Sequence, residues 1–214
     1  MCDLLKYEKK LYKEGYKFIA GCDEVGRGPL VGPVVAAAVI LPKNYKLEGL
    51  TDSKKLSEKK RNFFYDILIH DAISYGIGVV SAKEIDEINI YEASRKAMMI
   101  ALDNLSVKPD FILTDAMPMP NLEKSMSIIH GDALSLSIAA ASVIAKVTRD
   151  AMMYELDKKY PEDGFKDHKG YPTKKHLENL EKYGILDNYR LTYKPVKNII
   201  NSRQESEVRE KQTN

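Results

Sequence analysis

With 214 residues and 44% apolar composition, the chain can bury a core as one domain or as a main domain with a small appendage, which excludes a disordered or fibrous polypeptide. Its 33 basic and 31 acidic residues leave a net charge of only +2, so bulk charge selects no partner and a nucleic acid would have to be met by a local patch. Cys2 and Cys22 form no disulfide framework, charges break up the N-terminal apolar residues, and Pro29 to Leu41 is too short to span a bilayer; a cytoplasmic protein without membrane association is expected.

Residues 4–14 read as a charged helix, and Lys17 to Cys22 as a strand running into Asp23-Glu24. Val34 to Leu41, rich in Val, Ala and Ile without alternation, predicts a strand covered on both faces. Ser57 ahead of Lys60 and a mixed apolar pattern predicts a helix with a serine N-cap. A strand follows over Ile73 to Ser81, then helical spacing over 84–105, ended by Lys108-Pro109. Phe111 to Thr114 is a short strand ending at Asp115, and Met126 to His130 is a weaker candidate. Ala133 to Lys159 carries the longest helical pattern in the chain. Strands alternating with helices give an α/β protein. Beyond Tyr160 the composition turns polar and aromatic. A loop marked by Pro161, Gly164, Gly170 and Pro172 precedes a helix over about 173–183 that could form a separate flap, and Asn201 to Asn214 reads as a frayed helix or disordered tail.

Four acids stand where chain ends of this pattern would converge: Asp23 and Glu24 before a Gly-Arg-Gly turn, Asp115 closing a strand, and Asp132 opening the long helix. Adjacent strand residues face opposite ways, so Asp23 and Glu24 share a site only if the strand ends or bends there, and the turn supplies that bend. Asp115 belongs at the carboxyl edge of the sheet, where open α/β sheets place ligands. Asp132 at a helix N-terminus would be held anionic by the helix dipole. Each has an ordinary alternative, Asp132 as an N-cap and Asp115 as turn chemistry. If the fold gathers them, like charges ~4 Å apart repel by about 4 kcal/mol at an effective dielectric near 20, which calls for divalent cations or shifted pKa values. Oxygen-only ligands suit Mg²⁺ or Mn²⁺, and no Cys/His pair has zinc-site spacing.

Gly26-Arg27-Gly28 permits close backbone approach but lacks the spacing of a dinucleotide or P-loop fingerprint. Thr51-Asp52-Ser53-Lys54-Lys55 with Lys59, Lys60 and Arg61 is a basic cluster or a solvated surface. Lys146 and Arg149 share a helix face, although Asp150 is placed to pair with Lys146. His168-Lys169-Gly170-Tyr171-Pro172 sets cations beside an aromatic, one way to grip phosphate and stack on a sugar or base, although Tyr171 in a chain with 13 tyrosines also fits simple packing.

The strings GCDEVGRGPLVGPVVAAAVIL, TDSKKLS, ILTDA, GDALSLSIAAASVIAKVTRDAMM and GFKDHKGYPT, in this order from about Ile19 to Val196, closely resemble bacterial ribonuclease HII. The resemblance implies a ribonuclease H-like fold: a central mixed sheet flanked by helices, with a small helical C-terminal extension. It implies a catalytic domain over 1–160, an extension over 161–204 that helps bind substrate, and a polar tail over 205–214. It places the catalytic and metal-binding acids on Asp23, Glu24, Asp115 and Asp132, a two-metal site for Mg²⁺ or Mn²⁺. The ribose 2′-hydroxyl contact falls on the backbone of Gly26, Arg27 and Gly28, a stacking role on Tyr171, and phosphate contacts on Lys54, Lys146, Arg149 and Lys169. The implied partners are RNA–DNA hybrids and DNA duplexes containing ribonucleotides, met by a monomer. Where the family shows His-Arg followed by Ser-Phe, this chain has Tyr189-Arg190-Leu191-Thr192-Tyr193, and no role is carried over to that segment. Three rivals stand beside this implication: a nuclease using the 2′-hydroxyl as nucleophile with histidine acid and base, a non-catalytic hybrid-binding module, and a DNA nuclease of integrase or resolvase type that ignores the ribose.

Overall fold

A computed structural model of the chain describes residues 4–213, with side chains for residues 4–205. In chain order the elements are α1 (Lys6–Lys13), β1 (Ile19–Val25), β2 (Val34–Ile40), α2 (Glu58–Asp71), β3 (Ser74–Val80), α3 (Ala82–Ile88), α4 (Ile90–Asp103), β4 (Phe111–Asp115), β5 (Ser125–Ile128), α5 (Leu136–Lys159), α6 (Phe165–His168), α7 (Lys174–Tyr183) and α8 (Lys194–Thr213). The strands form one five-stranded sheet in the order β3-β2-β1-β4-β5. The β1–β2 and β2–β3 pairs are antiparallel, whereas β1–β4 and β4–β5 are parallel, which makes the sheet mixed. Because β1, β4 and β5 run the same way, their carboxyl ends emerge along one edge.

Every residue of β2 is buried, as its unalternating apolar run requires. Ala36, Ala38 and Ile40 pack towards Ala97, Met98 and Ala101 of α4, while Ala37 and Val39 face Ala140, Val143 and Ile144 of α5. Close approach of the helices depends on glycine. A Cβ on Gly21 would lie 2.1 Å from the Ser137 carbonyl carbon, and one on Gly78 would lie 1.9 Å from the Ala97 carbonyl oxygen. The first of these contacts seats the start of α5 on β1, beside the acids.

Ser57 caps α2 as expected, its hydroxyl accepting from the Lys60 N–H at 3.4 Å. The helical spacing over 84–105 resolves into two helices. Asn89, at φ 67°, breaks the run, and its side chain accepts from the N–H groups of Tyr91 and Glu92 to start α4. The long helix begins later than its apolar pattern suggests. Residues Gly131–Ala133 form a 3₁₀ turn after His130 in the left-handed region, and Ser135 caps α5 through the Ile138 N–H. Buried Glu8 of α1 accepts from the Ser135 hydroxyl at 2.6 Å and the Ser137 N–H at 3.0 Å, anchoring the N-terminal helix to that cap.

The C-terminal segment does not stand apart as a flap. Phe165, Leu180, Tyr189 and Val196 share an apolar cluster with Leu30 and Val31 of the β1–β2 connection and Met153 of α5. Backbone bonds from Gly32 N–H to the Asn188 carbonyl and from Arg190 N–H to the Leu30 carbonyl lace the two segments together. The end of the chain, read as a frayed helix or tail, continues α8 to Thr213. The side chains of the expected 205–214 tail lie, after Glu205, outside the described residues.

Candidate active site

Parallel pairing of β1 with β4 aligns Cys22 with Thr114, so Asp23 and Asp115 are the next residues along each strand. Asp115 in turn pairs with Ile128 at the end of β5, and the chain turns through His130 and Gly131 to bring Asp132 back to the same edge. The Gly131 N–H donates to Asp115 Oδ1 at 2.7 Å, fixing that turn against the strand end. One carboxylate oxygen from each of Asp23, Asp115 and Asp132 lies within 4.8 Å of the others. Three separate stretches of chain therefore deliver hard oxygen ligands to one point.

Burial, then Glu24 and Asp115, push the Asp23 carboxyl well above the ordinary carboxylate range, against hydrogen bonds from the Glu24 N–H and the Ser142 hydroxyl. Burial also raises Asp132, with Asp115 and Asp52 adding to it and Lys54 opposing. Glu24 is raised by burial, with Arg27 working against the shift and Asp115 with it. Like charges held this close and out of water favour a divalent cation, and metal–oxygen bonds of about 2.1 Å could bridge the observed spacing. The donor set fits Mg²⁺ or Mn²⁺.

Two expectations about these acids need correction. The strand does not bend between Asp23 and Glu24 but continues to Val25, so alternation sends Asp23 towards α5 and Glu24 to the other side. Glu24 lines the same cleft outside the mutual set of three, with one oxygen 3.4 Å from Arg27 and the other buried without a partner. Asp132 does not open the long helix. It sits in the 3₁₀ turn, four residues before Leu136, so the α5 dipole is not what governs its charge; burial and neighbouring acids raise it.

The cleft, about 270 Å³, is walled by Asp23, Glu24, Val25, the Gly26-Arg27-Gly28 loop, Lys54, Asp115, Ala116 and Tyr171. Gly28 and Tyr171 face one another, since a Cβ on Gly28 would come 3.3 Å from the tyrosine ring. Burial works against the charge on Lys54, but Asp23, Asp132, Asp52 and Asp115 outweigh it and raise its pKa. That cation belongs to the acidic centre. The remaining basic candidates lie elsewhere. Lys146 is half-buried and bonded to Asp150 at 2.6 Å, which Arg61 also approaches at 3.8 Å. Lys169 lies 3.7 Å over the Tyr154 ring and bonds the Lys166 carbonyl.

Arg149 is not a phosphate contact. It is 0% exposed, and its guanidinium donates to the carbonyls of Pro33, Lys169 and Val31 at 3.0–3.1 Å. With three of its five N–H donors on backbone carbonyls and the side chain fully buried, this guanidinium presents no surface to a phosphate.

Residues not singled out from sequence also shape the site. Asp52, which accepts from the Lys54 N–H at 2.8 Å, helps raise the pKa of Asp132, and the Ser53 and Ser142 hydroxyls lie 2.7 Å apart behind Asp23. Ser142 was visible only as a hydroxyl inside an alanine-rich helix, and Asp52 was masked by the lysines after it. Beneath Tyr171 the rings of His168 and His176 stack at 4.1 Å. His176 Nδ1 meets the Tyr171 carbonyl at 2.8 Å and its Nε2 meets the Tyr189 hydroxyl at 3.0 Å, so a buried network holds the tyrosine's backbone. Burial keeps His176 neutral, its pKa pushed down to about 4.

A family model described as ribonuclease HII matches residues 20–196. Ribonuclease HII of Bacillus cytotoxicus is 55% identical over 201 residues, which cover 94% of this chain and 78% of that protein. Among solved structures, ribonuclease H2 from Pyrococcus horikoshii matches with a TM-score of 0.75 and 31% identity, over 85% of this chain and 96% of the other. The structure of the PCNA:RNase HII complex from Archaeoglobus fulgidus matches with a TM-score of 0.72 and 27% identity, over 83% of this chain and 95% of the other.

Proposed function

The chain belongs to the ribonuclease HII family and is an endoribonuclease, and from that premise we propose how it acts and on what. It hydrolyses the RNA strand of RNA–DNA hybrids and cuts duplex DNA on the 5′ side of an embedded ribonucleotide, leaving 3′-hydroxyl and 5′-phosphate ends. The observation that carries this reading is the convergence of three carboxylate oxygens within 4.8 Å, beside a glycine loop and an exposed tyrosine.

Asp23, Asp115 and Asp132 hold divalent cations at the sheet edge, and Glu24, with its unpartnered oxygen, completes the ligand set from the opposite face of β1. Bound Mg²⁺ or Mn²⁺ supplies activation of water and stabilisation of the leaving oxyanion. Gly26, Arg27 and Gly28 present backbone to the ribose. Tyr171, 40% exposed, offers a ring face for stacking at the junction between ribonucleotide and deoxyribonucleotide. Lys54, held charged by the acids around it, takes a phosphate oxygen near the reacting centre. Residues 1–160 thus carry the chemistry, 161–204 contribute the tyrosine and its support, and the protein works as a cytoplasmic monomer.

The rival in which histidines activate the 2′-hydroxyl lacks its acid and base. His168 and His176 are buried under Tyr171 and His70 pairs with Asp71, which leaves His130, exposed in the turn two residues before Asp132, as a single histidine near the acids where that chemistry needs both an acid and a base. A duplex carrying one ribonucleotide, incubated with Mg²⁺ or Mn²⁺ and resolved at single-nucleotide level, tests the proposal. Cleavage 5′ to the ribonucleotide with 3′-hydroxyl and 5′-phosphate ends, abolished by EDTA, is expected. A cyclic phosphate or 3′-phosphate product that survives EDTA would overturn it, and equal cleavage of an all-DNA duplex would favour the DNA nuclease.

A further inference from the structure

Arg190 is buried at 0% exposure in a segment to which no function had been carried over. Its guanidinium donates to the Gly26 carbonyl at 2.6 Å, the Arg27 carbonyl at 3.0 Å and the Gly32 carbonyl at 2.9–3.0 Å. The Tyr193 hydroxyl donates to the same Arg27 carbonyl at 2.8 Å and accepts from Arg190 at 3.0 Å. Asp86 of α3 anchors this segment from behind, accepting from the Leu191 and Thr192 N–H groups at 2.7 and 3.0 Å.

A trans peptide points its C=O and N–H in opposite directions, and the chain has no cis peptides. The carbonyls of Gly26 and Arg27 belong to the two peptides whose N–H groups are those of Arg27 and Gly28. Pulling both carbonyls onto Arg190 therefore turns both N–H groups away from it. Among the described residues neither N–H has a backbone or side-chain acceptor, and Gly26, Arg27, Gly28 and Tyr171 all wall the cleft. Two consecutive free N–H groups make a concave donor pair suited to one oxygen atom.

We propose that Arg190 and Tyr193 are positioning residues for ribose recognition: by holding the Gly26 and Arg27 carbonyls they aim the Arg27 and Gly28 N–H groups at the 2′-oxygen of the substrate. Neither residue touches the substrate. The proposal rests on the functional reading above, and it assigns selection for ribose over deoxyribose to a clamp outside the cleft.

The test compares wild type, Tyr193→Phe and Arg190→Lys in Mg²⁺ buffer. KM is measured for a labelled duplex with one ribonucleotide, and the inhibition constant for its all-DNA twin as competitor, with thermal unfolding followed in parallel. Phosphate contacts are common to both duplexes, so the ratio of the all-DNA inhibition constant to the KM of the ribonucleotide duplex reports the ribose contact alone. Losing one neutral hydrogen bond on the loop should lower that ratio about three- to tenfold in Tyr193→Phe, with KM rising and the DNA constant unmoved. Arg190→Lys, which keeps the charge but loses the fork, should lower it further. If Arg190→Lys fails to fold, Tyr193→Phe decides. A purely structural role would weaken both duplexes together, and an unchanged ratio in the folded variants overturns the clamp. If the wild type itself shows no ribose preference, the functional reading falls and the clamp with it.

Discussion

The two walls of the cleft follow opposite electrostatic plans. On the acid wall, Asp23 and Asp132 are buried beside Asp115, like charge against like charge, and Glu24 keeps an oxygen with no partner. On the loop wall, Arg149 and Arg190 bond the carbonyls of Gly26, Arg27, Val31, Gly32 and Pro33, and every one of those bonds is made by folding alone. Burial lowers the pKa of both arginines, that of Arg149 to about 10, yet both stay charged at neutral pH. On the proposed reading a cation would complete the acid wall. The loop wall is set by folding alone, as a rigid gauge for a sugar hydroxyl would require.

That contrast predicts separate failures. On the acid wall, Asp23→Asn should cut turnover by about a thousandfold, of the order of 4 kcal/mol in the barrier, with an unfolding midpoint in EDTA no lower than wild type, because it removes a repelling charge. Wild-type turnover in Mg²⁺ would break the distinction at its strongest point. On the loop wall, Arg149→Met should do the reverse, costing about 3 kcal/mol in urea unfolding by stranding three buried carbonyls. A stable variant with only weakened, salt-sensitive substrate binding would restore the phosphate role denied to Arg149 here.

Smaller effects sharpen the comparison. His176, lowered to about 4 by burial in the folded protein against about 6.5 in an unfolded chain, binds fewer protons when folded. Its contribution is present above pH 6.5 and lost as the pH falls towards 4, about 2 kcal/mol between pH 7 and pH 5 by linkage. Denaturant midpoints of wild type and His176→Phe over that range should therefore differ in slope, and parallel curves would place the histidine in water. Smallest of all, Lys54→Ala should raise KM about threefold without lowering stability, and the difference should shrink in high salt. A salt-independent change would mean that Lys54 serves the acids rather than the substrate.

Much of this frame was legible before any coordinates. The unbroken apolar run of β2 announced a strand buried on both sides, Ser57 announced the start of α2, and Asp115 at the end of an apolar run announced the carboxyl edge. What stayed hidden depended on contacts distant in sequence. Asp132 looked like a helix-opening residue because apolar periodicity begins near it, whereas the cap is Ser135, locked by Glu8 from the other end of the domain. Arg149, on a helix face with Lys146, read as a phosphate contact, and Arg190 carried no role at all; only the fold shows that a loop with unpaired carbonyls needs both inside. His168, a letter of the polar HKGYP stretch, and His176, one polar position in the predicted helix 173–183, gave no sign that they stack as a buried support.

The central claim is that the acid wall is a cation site in its own right. Isothermal titration of Mn²⁺ into wild type and Asp115→Asn, without nucleic acid, tests it most directly. Saturable binding by wild type, weakened about tenfold or more in the variant because one of the three converging oxygen donors is lost, is the predicted result. Equal binding by the two proteins, or none by wild type, would contradict it.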